Sequence, residues 1–215
     1  MKKYIAKIGI DVDDCICNTL EMDFACAQYL NNSLKKVDIK NVDETYYDVT
    51  KTFNMSENEA DSFYKQEKDF IMKNNSMYPK VFVREVLSSL RKKGFQICFI
   101  TSRLKKYWKG DSLKPLKKWL KKYKIYYDKI YANVESKGNL CKDIGVNVMI
   151  EDRVDYAEKV NNMGINTILI RQKYNENYFH PLNNLAYSWL DVYKILGEKY
   201  KFDYQDIMKF NIKAD

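Results

Sequence analysis

The sequence predicts an α/β protein: a doubly wound, Rossmann-like, mostly parallel sheet with a small helical cap inserted after the first strand. Three observations predict it. Short apolar runs rich in β-branched residues recur at residues 5–10, 95–100, 146–150 and 165–170, and runs of this length read as buried strands. Helical patterns alternate with them from residue 81 onward, the order that builds a parallel sheet with helices on both faces. About sixty residues separate the first run from the next α/β unit, far more than an ordinary βα connection needs, so they mark an insertion.

The elements follow in order. The first strand lies within residues 1–10 and ends abruptly in Asp11, Asp13 and Asp14. Leu20, Phe24, Ala27 and Leu30 recur at three- and four-residue spacing and predict a helix. Residues 37–47 mix charge with tyrosine and read as a connector. Ser56 and Glu59 have the spacing of a capping box, ahead of a helical pattern that carries Ala60, Phe63, Tyr64, Phe70 and Ile71. Tyr78-Pro79 closes the insertion, which is expected to sit over the carboxylates. Residues 81–93 predict a helix with Val83, Val86, Leu87 and Leu90 on one face and Gly94 at its end. A strand at 95–100 stops at Thr101-Ser102-Arg103. A basic amphipathic helix follows at 113–123, a strand within 125–132, a helix at 137–144, a strand at 146–150 and a helix at 154–163. The last strand is expected at 165–170, a terminal helix at 183–196, and a polar tail after it. The expected division is an α/β core of residues 1–19 and 80–200, a helical cap of residues 20–79 and a C-terminal tail of residues 201–215.

Composition narrows the function. The chain has 215 residues, 46% of them hydrophobic, enough for a core domain with a modest insertion. Its 37 Lys and Arg exceed 29 Asp and Glu, a formal charge of +8 that favours anionic partners such as phosphorylated small molecules or nucleic acid. No recognisable nucleic-acid module is present, which disfavours a polymer. Cys15 and Cys17 form C-x-C with no second close pair, Cys26 and Cys141 stand alone, and the only histidine is His180, so a zinc site is disfavoured. Cys98 lies inside an apolar run and is expected in the core. An odd number of cysteines and no signal-peptide pattern point to a reducing cytoplasm. No apolar run approaches the roughly 18 residues that span a membrane.

The chemistry lies at the strand ends. In a parallel sheet the carboxyl ends of all strands share one edge. Polar groups stand at or beside four of them: Asp11 and Asp13, Thr101 and Ser102, Lys137, and Glu151 and Asp152. Asp11 and Asp13 point the same way in extended chain. Two such charges raise a carboxyl pKa unless a cation sits between them, so the pair is a metal site, an acid/base pair or both. Each group also has a simpler reading. Thr101 and Ser102 could cap the next segment, Lys137 could be one solvated lysine among many, and Glu151 and Asp152 could be first-turn acids favoured by a helix dipole. Taken together in this order, they assemble phosphoryl transfer: a carboxylate nucleophile, a second carboxyl as acid and base, and a hydroxyl and a lysine to hold the phosphate. A carboxylate-bound Mg2+ would offset the repulsion between two anions.

The stretches Asp11-Val12-Asp13, Thr101, Lys137 and Glu151-Asp152 resemble the four motifs of the haloacid-dehalogenase-like hydrolase superfamily, over roughly residues 1–19 and 80–196. The resemblance implies that Asp11 is the nucleophile and a metal ligand. Asp13 would be the acid/base and would bind metal through its backbone carbonyl. Thr101 and Lys137 would bind phosphate, with Ser102 and Arg103 beside them as substrate-binding residues. Asp152 would hold Mg2+ with Glu151 behind it. Within the superfamily the chain is similar to the 5'(3')-deoxyribonucleotidase-like group and the bacterial nucleotidases grouped with it. The insertion follows the first motif directly, Glu151-Asp152-Arg153 matches that group's acid-acid-Arg stretch, and Tyr174-Asn175 matches its loop after the last strand. Two departures are Cys15, where Thr or Val is usual, and Asp14, where Gly is commonest. Tyr46, Tyr47, Phe53, Phe63, Tyr64 and Phe70 could stack on a base, although aromatics at helical spacing more often fill a core.

The expected function is therefore a Mg2+-dependent phosphomonoesterase acting through an aspartyl-phosphate, with (deoxy)nucleoside monophosphates as the first expectation. A sugar phosphate or other small metabolite is the alternative substrate, and an inactive phosphate-binding module is the third reading. The expected partner is a phosphorylated small molecule, a nucleotide foremost. A membrane is not expected, and a homodimer is left open.

Overall fold

In the computed structural model, which describes residues 4–29, 42–74 and 77–208, six strands form one sheet. They are β1 (Lys7–Ile10), β2 (Gln96–Ile100), β3 (Lys129–Tyr131), β4 (Val148–Glu151), β5 (Asn166–Ile170) and β6 (Asn183–Ala186). Their spatial order is β3-β2-β1-β4-β5-β6, and every neighbouring pair is parallel. The expected doubly wound sheet is therefore present, parallel throughout.

The central strands are apolar because both faces are covered. Alternate residues sort between two clusters. Ile8, Ile10, Ile97, Phe99, Val148 and Ile150 pack under α4 (Val83–Lys92), α5 (Leu113–Lys122) and α8 (Trp189–Tyr200). On the opposite face Ile100 and Met149 pack with Cys141 of α6 (Lys137–Asp143) and Val160 of α7 (Val154–Asn161). Gly9 sits at the centre of this sheet, where an added Cβ would come within 2.7 Å of Met149 Sδ. Cys98 is fully buried, as expected of its apolar run.

One expected element differs. Residues 183–186, expected to open the terminal helix, form β6, so 165–170 is not the last strand. Asn183-Asn184-Leu185-Ala186 buries only Ala186, and an edge strand with one buried side chain has no alternation to read. The helix begins at Trp189, where Ser188 Oγ accepts from the Asp191 amide as N-cap. Beyond it Phe202 packs on Phe95 and Tyr193, and Asp206 accepts from Tyr193 Oη at 2.8 Å. Residues 201–208 thus lie on the core, while residues 209–215 of the expected tail are outside the described residues. So are the expected helix position Leu30, the first three residues, and residues 37–41 of the expected connector.

Between β1 and α4 stands a helical layer: α1 (Thr19–Tyr29), α2 (Val49–Thr52) and α3 (Glu57–Asn74). It has an apolar cluster of its own, built from Cys26, Ala27, Val49, Phe53, Met55, Ala60 and Phe63. The capping box at its third helix is present: Glu59 Oε2 accepts from the Ser56 amide at 2.8 Å, and Ser56 Oγ accepts from the Glu59 amide at 3.4 Å. Two chain segments join the layer to the core, side by side. Cys17 bridges Pro79, Lys80 N donates to Ile16 O at 2.9 Å, and Asn18 N donates to Tyr78 O at 3.3 Å. Ile71 of α3 is buried in the main core cluster, with Met22 and Met72 packed against it, and polar and aromatic contacts complete the junction. Arg153 Nη2 donates to Tyr47 Oη at 3.0 Å, Lys106 pairs with Asp61 at 3.1 Å, and the Tyr64 and Tyr107 rings lie 5.3 Å apart. Among the described residues no helix is long and apolar enough to cross a membrane.

Candidate active site

The strand order reverses between β1 and β4, and open α/β sheets place their ligand crevice at such a point, outside the carboxyl ends of the strands. Asp11 leaves β1 there and Asp152 leaves β4. Thr101 leaves β2, and Lys137 opens α6. With Asp13, Ser102 and Arg103 they line one cavity of about 430 Å³ beneath the helical layer.

A lysine ties the floor together. Lys137 Nζ donates to Asp11 Oδ1 at 2.7 Å and to Glu151 Oε2 at 2.8 Å. Lys137 is 1% exposed and Glu151 not at all. Burial opposes the ammonium, but the two carboxylates outweigh it and hold the Lys137 pKa well above that of an ordinary lysine. Burial pushes Glu151 well up, with Lys137 opposing. Burial also raises Asp11, against the pull of Lys137 and with added repulsion from Asp13. The solvated-surface reading of Lys137 is thereby excluded.

Asp13 faces a different cation. The Arg103 guanidinium forks onto it, Nε to Oδ2 and Nη2 to Oδ1, both at 2.8 Å, and Thr19 Oγ1 donates at 2.8 Å. Burial works against the charge on Asp13, yet the Arg103 charge and hydrogen bonds win and hold it below the usual carboxylate range. Arg103 in turn lies over the Trp108 ring, 4.6 Å from its centroid. The guanidinium expected to meet substrate is thus engaged with Asp13.

The next two residues explain the departures in this loop. Asp14 has φ 54°, the left-handed region where Gly is easiest and Asp is tolerated. Its Oδ1 accepts from the Leu20 amide at 2.8 Å and so fixes the start of α1. Burial and the nearby Asp152 charge push its pKa up to about 8. Cys15 Sγ donates to Asp152 Oδ1 at 3.3 Å. Tyr174 Oη donates to the other oxygen, Oδ2, and Asn175 Nδ2 donates to the Asp152 carbonyl at 2.7 Å. Burial and Asp11 raise Asp152 to about 6.

The simpler readings hold only in part. Thr101 Oγ1 accepts from the Arg103 amide at 3.3 Å, and Ser102 Oγ donates to Val134 O at 2.8 Å, so both also shape their loop. Neither Glu151 nor Asp152 caps α7. Arg153 is the N-cap and makes no side-chain cap bond, and its amide reaches Glu151 Oε1 only at 3.5 Å.

A divalent cation fits here. Ligand atoms of Asp11, Cys15 and Asp152 lie within 4.8 Å of one another. Burial first and neighbouring carboxylates second raise Asp11, Asp14 and Asp152, and a cation among them would oppose both effects. Oxygen donors suit Mg2+. The Cys15 thiol, raised well above its usual value by burial and then Asp152, stays protonated as a hydrogen-bond donor.

Several cavity residues carried no sequence signal. Asp23, Lys68, Trp108 and Tyr156 line the site with Tyr47, Tyr64 and Tyr174. Asp23 stands one turn after Thr19 on α1, a spacing that could have flagged it, but a lone acid on a helix usually faces water. Of the expected stacking aromatics, Tyr47 and Tyr64 reach the cavity. Phe53 and Phe63 fill the layer's own cluster with Phe70 against it, and Tyr46 is exposed.

No family model matches the chain. A nucleotidase of Clostridium acetobutylicum is 26% identical over 198 residues, covering 90% of this chain and 95% of that protein. A provisionally assigned phosphatase of Clostridium difficile superposes with TM-score 0.65 at 17% identity, over 91% of this chain and 100% of the other. A haloacid dehalogenase-like hydrolase of Streptococcus pneumoniae does so with TM-score 0.63 at 13% identity, over 89% and 98%. The sheet order, the polar strand ends and these superpositions agree: the chain has the haloacid-dehalogenase-like fold.

Proposed function

We propose that the protein is a Mg2+-dependent phosphomonoesterase acting through Asp11. The observation that carries this reading is Lys137, a buried ammonium bridging Asp11 and Glu151 at the floor of the cavity. A buried Asp11–Lys137–Glu151 cluster that only served stability could be replaced whole by apolar packing. An ammonium aimed at a carboxylate beside Thr101 is placed to hold both nucleophile and phosphate.

In the reaction Asp11 attacks phosphorus, forming an acyl phosphate as the P–O bond to the leaving alcohol breaks. Asp13 gives that oxygen its proton. Asp13 then takes a proton from the water that attacks the acyl phosphate, releasing inorganic phosphate and restoring Asp11. Lys137 and the Thr101 hydroxyl hold the phosphoryl oxygens as charge develops on them. Asp13 is ionised beside Arg103, so to act as acid it must give up that fork and take up a proton from the entering phosphate monoanion or solvent, while the phosphate competes for the guanidinium. Asp11 and Asp152 would hold the cation, which when bound offsets the repulsion between carboxylate and phosphate. The helical layer would act as the cap that excludes water.

The nucleoside monophosphate reading is the finer part. It is supported by the relative named a nucleotidase and by a cavity lined with Tyr47, Tyr64 and Tyr156. Phosphate release from a panel of nucleotides and sugar phosphates, with Mg2+ and with EDTA, tests both parts. Metal-dependent release from nucleoside monophosphates is the expected result. Release from sugar phosphates alone would keep the mechanism and remove the substrate. No release from any of them would leave a phosphate-binding module.

A further inference from the structure

The phosphoryl chemistry leaves three charged residues of the helical layer without a role. Helices α1 and α3 bury Asp23, Glu67 and Lys68 together, at 6%, 0% and 8% exposure. Lys68 Nζ bonds Glu67 Oε2 at 2.6 Å and lies 3.8 Å from Asp23 Oδ1. It also lies over the Tyr64 and Trp108 rings, at 5.6 and 6.0 Å.

Burying such groups costs several kcal/mol per ion unless they are well paired. The pairing here is incomplete. Asp23 Oδ1 and Glu67 Oε1 are shut off from water and take no hydrogen bond from an N–H or hydroxyl among the described residues; the two carboxyls instead lie against each other, and burial and then Glu67 push Asp23 well up. An ammonium has three donors, and Glu67 takes one. A layer built only for stability would carry apolar side chains at these positions.

Their position supplies a reason. Asp23 and Lys68 line the same cavity as Asp11 and Asp13. Asp23 stands one turn along α1 from Thr19, whose hydroxyl bonds Asp13, so the two share a helix face. Tyr64 and Lys68 share a face of α3 in the same way. A phosphomonoester with its phosphate at Asp11 directs its alcohol portion away from the floor and toward the helical layer that closes the cavity.

We propose that Asp23 and Lys68 form a specificity site for the leaving alcohol, taking an uncharged group that presents a hydrogen-bond donor beside an acceptor. The donor is given to Asp23, and the acceptor receives a hydrogen from Lys68. This deepens the phosphatase reading and rests on it only for the position of the phosphate. A sugar hydroxyl and the imide edge of a base both carry this chemistry. A second phosphate or carboxylate does not, because it would meet two carboxyls against one ammonium. The site therefore favours leaving groups without a second anion.

The test is binding, so that it does not depend on turnover. Calorimetry on full-length Asp11→Asn protein with Mg2+ would use four probes: inorganic phosphate, ribose 5-phosphate, uridine 5'-monophosphate and fructose 1,6-bisphosphate. Asp23→Leu, which keeps the branched heavy-atom skeleton, and Lys68→Met, which is close in volume, are then added singly. The expected result is that ribose 5-phosphate or the nucleotide binds at least ten-fold tighter than phosphate. Each substitution should weaken that probe at least ten-fold more than it weakens phosphate. A loss confined to the nucleotide assigns the base edge, and a loss shared with ribose 5-phosphate assigns the sugar. Equal weakening of all four probes would make the residues structural and overturn the proposal. So would a bisphosphate that binds best, or an alcohol portion that adds nothing over phosphate. If one variant does not fold, the other carries the same comparison. If the binding pattern holds while unmodified protein hydrolyses nothing, the phosphatase reading falls and the specificity site stands.

Discussion

Asp14 connects the loop after β1 to stability. Its raised pKa means the folded protein keeps a proton that the unfolded chain has lost. Stability from this group is complete below the unfolded carboxylate pKa, near 4, and is lost as pH rises toward about 8. Asn tolerates the left-handed backbone of Asp14 and cannot ionise. Asp14→Asn should therefore flatten the fall in stability between pH 5 and 8, by an amount on the order of 1 kcal/mol or more. Urea midpoints in EDTA at the two pH values check this, and parallel curves for both proteins would refute it. Asp11→Asn should abolish phosphate release while leaving far-UV circular dichroism unchanged, and retained hydrolysis would rule out the nucleophile. Lys137→Met leaves Asp11 and Glu151 buried without their cation and should cost about 3 kcal/mol or more in urea unfolding. Residues at strand ends could be read from sequence because the sheet gathers them whatever lies between. Asp23, Glu67 and Lys68 could not. A buried charge on a helix has the same letters and spacing as a solvated one, and only the packing of α1 on α3 separates the two.

At the scale of elements, α6 carries the sharpest prediction. Gly138 follows Lys137 directly, and a Cβ there would come within 2.3 Å of Lys159 O on α7. Backbone cannot yield as a flexible side chain can. Gly138→Ala should push α6 off α7 and displace the adjoining Lys137, costing about 1–3 kcal/mol and lowering turnover. Thermal unfolding and kcat together check it, and an unaltered enzyme would mean α6 moves freely. Amphipathic helices such as residues 83–92 could be read in advance because their periodicity records burial of one face, and β-branched runs such as residues 95–100 because an unbroken apolar run records burial on both. Residues 183–186 could not, because an edge strand pairs through its backbone and buries almost nothing.

At the scale of the whole molecule, Asp11 and Asp152 gather buried carboxylates at one edge of the sheet in a chain whose overall charge is +8. A bound cation adds stability by mass action. Mg2+ at about 100 times its dissociation constant should stabilise by roughly 2.7 kcal/mol, read as a rise in unfolding temperature that EDTA reverses. No shift across a wide range of Mg2+ would remove the cation from this site.

The two segments that join the helical layer to the sheet run side by side, tied at Cys17 and Pro79 and by the amides of Asn18 and Lys80. Two separate tethers would let the layer tilt, slide and twist. Tethers bonded to each other act as one axle and leave mainly one rotation. Contacts across the layer such as Arg153 to Tyr47 and Lys106 to Asp61 are then the ones that such a turn would break. Substrate entry and phosphate exit would share the door so made, and each opening would slide Ile71, Met22 and Met72 over the core they pack on.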